Sequence, residues 1–184
     1  MKVLTIANQL TLIRLLLVPT LVILVIYGFN GWAFIAFIVA GITDGLDGLV
    51  ARRTDQRTKL GAWLDPMADK LLLVSTFVVL TATPSLSNPI PVWLTVLVIS
   101  RDIIIVLTVA VVNLAIERRV FYPSKLGKTA TLIYILTCAF TLFFNFLGIT
   151  SFIVTALVWI ALLVTLLSGL DYIFRVTKTL DSSR

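Results

Sequence analysis

The chain has 184 residues, of which 59% are hydrophobic and only 13% charged; soluble domains carry about 25% charged residues, so the composition excludes an ordinary soluble globular protein and points to the membrane. The net charge of +6 then reads as a topology signal and a preference for anionic headgroups, not as a nucleic-acid footprint. Histidine is absent and Cys138 is the only cysteine, which excludes His-based triads, the common His metal sites and internal disulfides, and leaves oxygen as the ligand for any metal.

Lys2 and the apolar run behind it look at first like a signal peptide. Asn8, Gln9 and Arg14 interrupt the run and no small-residue cleavage site follows, so a retained anchor is expected, with a segment at the membrane interface ahead of it. A membrane-crossing helix needs about 20 mostly apolar residues. Six spans meet that need, at 11–28, 31–51, 61–82, 90–116, 126–147 and 151–174, and "GFNG", "TPSLSNPIP" and "NFLGITS" separate several of them. Pro19 and Pro66 are places where a span can kink. The expected fold is therefore an all-α integral membrane protein, six transmembrane helices with an N-terminal interfacial segment, forming a single domain over 1–184. Internal repeats of the kind seen in inverted-repeat transporters are not evident.

Lys and Arg set the orientation. Arg52, Arg53, Arg57 and Lys59 crowd the connector after span 2, and Arg118, Arg119, Lys125 and Lys128 the connector after span 4. Arg175, Lys178 and Arg184 lie in the tail, while the alternate connectors carry neither residue. The positive-inside rule places both termini and these connectors in the cytoplasm.

Against this apolar background "TDGLDGLVARRTDQRTKLGAWLDPMADK" stands out, because it holds Asp44, Asp47, Asp55, Asp65 and Asp69. Asp44 and Asp47 are spaced i, i+3 at the cytoplasmic end of span 2; Asp65 and Asp69 are spaced i, i+4 at the cytoplasmic end of span 3. Each pair shares a helix face, and the short connector brings the two helices together. One Asp at the centre of a spanning helix costs about 2.5–3.5 kcal/mol on insertion scales, and four close carboxylates repel one another. A hard divalent cation resolves both difficulties: all-oxygen ligation suits Mg²⁺, Mn²⁺ or Ca²⁺, and four Asp can hold two ions. The alternative is a solvated helix-end network with Arg52, Arg53, Lys59 and Lys70. Four carboxylates at helical spacing on facing helices argue against it, whereas Asp55, inside the basic loop, fits that role. Gly48 and Gly61 flank the pairs and suit either close helix packing or close approach of a ligand; Gly45 suits packing.

Asp44-x-x-Asp47-Gly48-x-x-Ala51-Arg52, then eight residues, then Gly61-x-x-x-Asp65-x-x-x-Asp69, resembles at every fixed position the motif of the CDP-alcohol phosphotransferase family. "ANQLTLIRLLLVP" and "GAWLDPMADK" resemble its bacterial phosphatidylglycerophosphate synthases; "ISRD" and "IPVWLTVLV" are more similar to its cardiolipin synthases. The resemblance covers roughly residues 4–130 and implies an integral enzyme of the bacterial cytoplasmic membrane, a homodimer with its active site on the cytoplasmic side. The implied reaction is attack of an acceptor hydroxyl on CDP-diacylglycerol with release of CMP, assisted by two divalent cations, Mg²⁺ or Mn²⁺. It further implies Asp44, Asp47, Asp65 and Asp69 as metal ligands, Asp69 as the catalytic base, and Asp47, Gly48, Ala51, Arg52, Gly61 and Asp65 as the CDP pocket. Asn8, Thr11 and Arg14 fall near the cytidine end. The acceptor implied first is sn-glycerol 3-phosphate, with phosphatidylglycerol, serine and inositol phosphate as alternatives.

Arg101, Arg118, Lys125 and Lys128 are candidates for an acceptor phosphate. For Arg101, next to Asp102 inside span 4, an intramembrane ion pair is an equal reading; for the others, the positive-inside bias explains most, leaving one or two to bind substrate. Two rival functions fit less well. A divalent-cation transporter calls for acidic residues along a path through the bilayer, but the outward connectors hold none. An intramembrane aspartyl protease needs two facing Asp and gives no reason for Gly48, Arg52 and Gly61.

Overall fold

Lipid offers no hydrogen bonds to the backbone, so each crossing segment must satisfy its own amides, and a helix does so within itself. The computed structural model describes residues 6–54, 59–115 and 125–181, with side chains described over 9–45, 67–108 and 125–174. Six helices follow one another: α1 (Ile6–Ile26), α2 (Asn30–Thr54), α3 (Lys59–Ala82), α4 (Val92–Ala115), α5 (Lys125–Leu147) and α6 (Phe152–Asp181). Among the described residues three stretches are long and apolar enough to cross a membrane: Gln9–Ile26, Lys125–Leu147 and Phe152–Phe174. Large apolar side chains such as Leu16, Trp32, Phe152 and Phe174 face outward, as a lipid solvent requires.

Two boundaries differ from the sequence expectation. The segment expected at the interface is continuous with the first span, because α1 already begins at Ile6. The last helix passes the end of its apolar stretch at Phe174 and runs to Asp181, since helical hydrogen bonding does not stop where hydropathy falls. The glycine-bearing connectors end helices as anticipated. Gly28 (φ 79°) closes α1, donating its N–H to Val25 O at 3.0 Å while Phe29 N–H reaches Leu24 O at 2.8 Å. Gly148 (φ 68°) closes α5 through the same pair of bonds to Asn145 O and Phe144 O. Both are left-handed caps that only glycine adopts without strain. Several threonines inside the helices satisfy their hydroxyls on the preceding turn, as Thr76 does on Leu72 O at 2.7 Å and Thr137 on Ile133 O at 2.7 Å. That bond makes a polar side chain tolerable in an apolar setting.

The chain resolves into two compact units. The first holds Met1–Pro89 and Cys138–Ser151, so it contains α1, α2, α3 and the end of α5. Within it α1 packs against both α2 and α3. Its far end is tied by a polar knot. Asn88 donates its backbone N–H to Asn145 Oδ1 (2.8 Å) and its Nδ2 to Ile149 O (2.7 Å), and it accepts the Ser151 N–H at Oδ1 (2.9 Å). Asn145 Nδ2 returns a bond to Asn88 O at 3.2 Å. In the same unit Phe34 and Phe143 pack together, ring centroids 5.5 Å apart. The second unit holds Ile90–Thr137 and Phe152–Arg184. There α4 packs against α6, with Trp93 on Trp159 at 5.8 Å and Tyr134 OH bonded to Thr165 Oγ1 at 2.7 Å.

Candidate active site

One face of α1 buries Thr11, Arg14, Leu21 and Val25, at spacings of three, seven and four residues that keep them on a single helical stripe. The facing stripe of α2 is Ala33, Ala36, Phe37 and Ala40. Its three alanines let the α1 backbone come close, and Asp44 continues the row one turn beyond Ala40. On α3 the buried set is Ala68, Leu72, Thr76, Phe77, Val79 and Leu80, with Asp69 next to Ala68. Packing these stripes sets Arg14 between the acidic ends of two other helices.

Arg14 is wholly buried, yet it ends on two carboxylates: its Nη2 lies 3.2 Å from Asp44 Oδ1, and its Nη1 donates a short hydrogen bond to Asp69 Oδ1. A guanidinium in an apolar helix must be neutralised, and here two Asp from two different helices share the task. The planar fork allows it, since it presents separate N–H groups in fixed directions. The Asp44 and Asp69 side chains remain 49% and 45% exposed. The guanidinium therefore covers the inner side of each carboxylate and leaves an open outer side.

Of the residues singled out in the sequence, the structure brings Asp44, Asp69 and Arg14 together, with Thr11 buried one turn before Arg14. Asp47, Gly48, Ala51 and Arg52 fall on the helical backbone of α2, Gly61 and Asp65 on that of α3, and Asn8 on that of α1. Their side chains, and Arg118 entirely, lie outside the described residues. Among the described residues no group of three or more acidic or sulfur side chains gathers. Gly45 differs from its expected packing role: a Cβ built there meets nothing within 4 Å. Sequence reasoning missed the Arg14 bridge. The signal was present, because an arginine in an apolar stretch on the same stripe as Leu21 and Val25 needs a buried counter-charge.

In the second unit, Arg101 pairs with Asp102 (Nη1 to Oδ1, 2.7 Å) and donates from Nε and Nη2 to Ser168 Oγ at 2.9 and 2.5 Å. The ion-pair reading of this dipeptide thus has its geometry, with Ser168 as a third member. Tyr172 OH donates to Ile105 O at 3.2 Å one turn further along. Arg101, Ser100, Thr165 and Tyr172 border a cavity of about 250 Å³ that is otherwise apolar. Lys125 and Lys128 are exposed in the first turn of α5.

Comparison with known proteins gives the family. The family model described as CDP-alcohol phosphatidyltransferase matches residues 4–167. The chain is 34% identical over 193 residues to a probable phosphatidylglycerophosphate synthase of Mycobacterium tuberculosis, covering 100% of this chain and 87% of that one. It is 29% identical over 194 residues to the CDP-diacylglycerol–glycerol-3-phosphate 3-phosphatidyltransferase of Bacillus subtilis, covering 96% and 97%. It is also 38% identical over 140 residues to the CMP-forming cardiolipin synthase of Streptomyces coelicolor, covering 71% and 61%.

Proposed function

The chain belongs to the CDP-alcohol phosphatidyltransferase family, integral membrane transferases of phospholipid biosynthesis, and we propose that it transfers the phosphatidyl group of CDP-diacylglycerol to sn-glycerol 3-phosphate. The observation that carries the chemistry is the convergence of Asp44 and Asp69, from two helices, with their outer sides open. The acceptor is supported by the relatives that match along nearly the whole chain, which bear the names of glycerol-phosphate-using synthases.

The oxygen-only donor set fits Mg²⁺ or Mn²⁺, with Asp44, Asp47, Asp65 and Asp69 as the holding residues. When bound, two such ions neutralise the diphosphate and raise the acidity of the acceptor hydroxyl. Gly48, Ala51, Arg52 and Gly61 line the CDP pocket, where a side chain at 48 or 61 would crowd the diphosphate. The acceptor oxygen attacks the phosphorus that carries diacylglycerol, and Asp69 takes the hydroxyl proton. The bond from that phosphorus to the bridging oxygen breaks, and CMP departs with the electron pair. Arg118, Lys125 and Lys128 hold the acceptor phosphate, and Asn8 and Thr11 lie toward the cytidine.

The six helices cross the bilayer with both termini in the cytoplasm, supported by the distribution of Lys and Arg. The chain works as one domain, supported by a family match that runs through both units, and as a homodimer.

A second reading has its own support. The Streptomyces relative is a cardiolipin synthase, and "ISRD" in α4 is similar to that group; its acceptor would be phosphatidylglycerol. Purified protein with CDP-diacylglycerol, Mn²⁺ and each acceptor in turn separates the two. CMP release with a phosphatidylglycerophosphate product is expected. A four-chain lipid from phosphatidylglycerol, with no product from glycerol 3-phosphate, overturns the first reading in favour of the second.

A further inference from the structure

Arg14 does not fit the usual roles of arginine in a membrane enzyme. Its side chain has no exposed surface, so it cannot snorkel to the headgroups. Both of its terminal nitrogens face carboxylates, Nη2 toward Asp44 and Nη1 toward Asp69. The two carboxylates sit on different helices, α2 and α3. Arg14 comes from a third helix, α1, whose orientation is fixed by Leu21 and Val25 on the same buried stripe. One rigid fork thus engages two acidic side chains at once, each in a fixed direction.

We infer that Arg14 is a positioning residue for the cation site: by gripping Oδ1 of Asp44 and of Asp69 from the buried side, it turns the open sides of both carboxylates toward a shared divalent cation. The inference rests on the proposed metal-dependent function. Its physical basis is burial. A competitor for the carboxylates would occupy their exposed side, where a cation from solvent arrives; Arg14 occupies the opposite side. Groups that orient metal ligands from behind typically set about 10–100-fold in metal affinity. Lysine is a point charge and cannot bridge two carboxylates with fixed direction, so charge alone does not reproduce the effect.

The test is the affinity of the purified full-length protein for Mn²⁺, read without substrate from the electron paramagnetic resonance of free Mn²⁺. Arg14→Met is expected to weaken binding by about 10–100-fold, and Arg14→Lys to recover only part of it. Unchanged affinity in a folded Arg14→Met protein would make the residue a structural counter-ion only, and tighter affinity would make it a competitor; either overturns the inference. Should Arg14→Met fail to fold, Arg14→Lys carries the test, and affinity at or above the wild-type level overturns it. Wild-type protein that binds no Mn²⁺ would remove the metal-dependent reading itself, an outcome distinct from Mn²⁺ binding that ignores Arg14.

Discussion

Asp44 and Asp69 each give one oxygen to Arg14 and keep close to half of their surface open, so the two residues answer to different substitutions. Asp44→Asn keeps the shape but removes the charge that a hard cation requires. CMP release should fall by at least about 100-fold, the upper end of what is lost when only an orienting group is removed. EDTA should do the same to the wild-type protein, and substantial turnover in EDTA would refute the metal assignment. Asp69→Asn should lower turnover by about 10²–10⁴-fold, the usual worth of a general base, while CDP-diacylglycerol binding changes far less. Equal loss of binding and turnover, measured on protein with an unchanged melting temperature, would leave Asp69 as a ligand and not the base. The carboxylates were legible in the sequence because their helical spacing is local information. The need of Arg14 for a counter-charge was legible too, but not which carboxylates supply it, because that depends on the rotation of α1 against α2 and α3, set by Leu21, Val25 and the alanines of α2. The same holds for Ser168, which lies 67 residues from its partner Arg101.

Helix positions were readable from hydropathy and from the glycines that close α1 and α5, but the way helix ends are tied was not. The expected connector "TPSLSNPIP" contains Asn88, whose backbone N–H and C=O are both satisfied by the side chain of Asn145. No periodicity marks that pairing, since it is made between a connector and the end of α5, brought together only by the fold. Asn88 and Asn145 are both buried, so the bonds have no water to fall back on. Asn145→Leu, similar in size, leaves a buried donor and a buried acceptor of Asn88 without partners, each worth about 1–3 kcal/mol. A clear drop in melting temperature in detergent is expected, with helical content retained. Asn145→Asp keeps the acceptor for the Asn88 N–H and loses the donor, so its melting temperature should separate the two bonds. A melting temperature unchanged in Asn145→Leu would show that the knot adds nothing to stability.

At the scale of the whole molecule the charge asymmetry makes a prediction that the helices alone do not. Lys and Arg crowd the connectors at 52–60 and 117–128 and the tail, and are missing from those at 83–89 and 148–151. The positive-inside rule then puts Ser85 outside the membrane and Lys125 inside, with α4 crossing between them. Single cysteines test this directly. The native Cys138 is buried and stays out of reach of a bulky aqueous reagent, so it can be left in place, whereas Ser85 and Lys125 are both exposed. In intact cells a membrane-impermeant maleimide should label Ser85→Cys and spare Lys125→Cys, which should become reactive once the membrane is opened. The reverse pattern would invert the topology and move the Asp44 and Asp69 site away from the cytoplasm, against the proposed cytoplasmic reaction. Labelling of both from the same side would mean that α4 does not cross, and would reduce the six proposed spans. Because α4 carries the Arg101–Asp102 pair on Ser168 of α6, labelling from opposite sides would also place that ion pair within the bilayer, where neutralisation by a neighbouring charge is what lets an arginine remain.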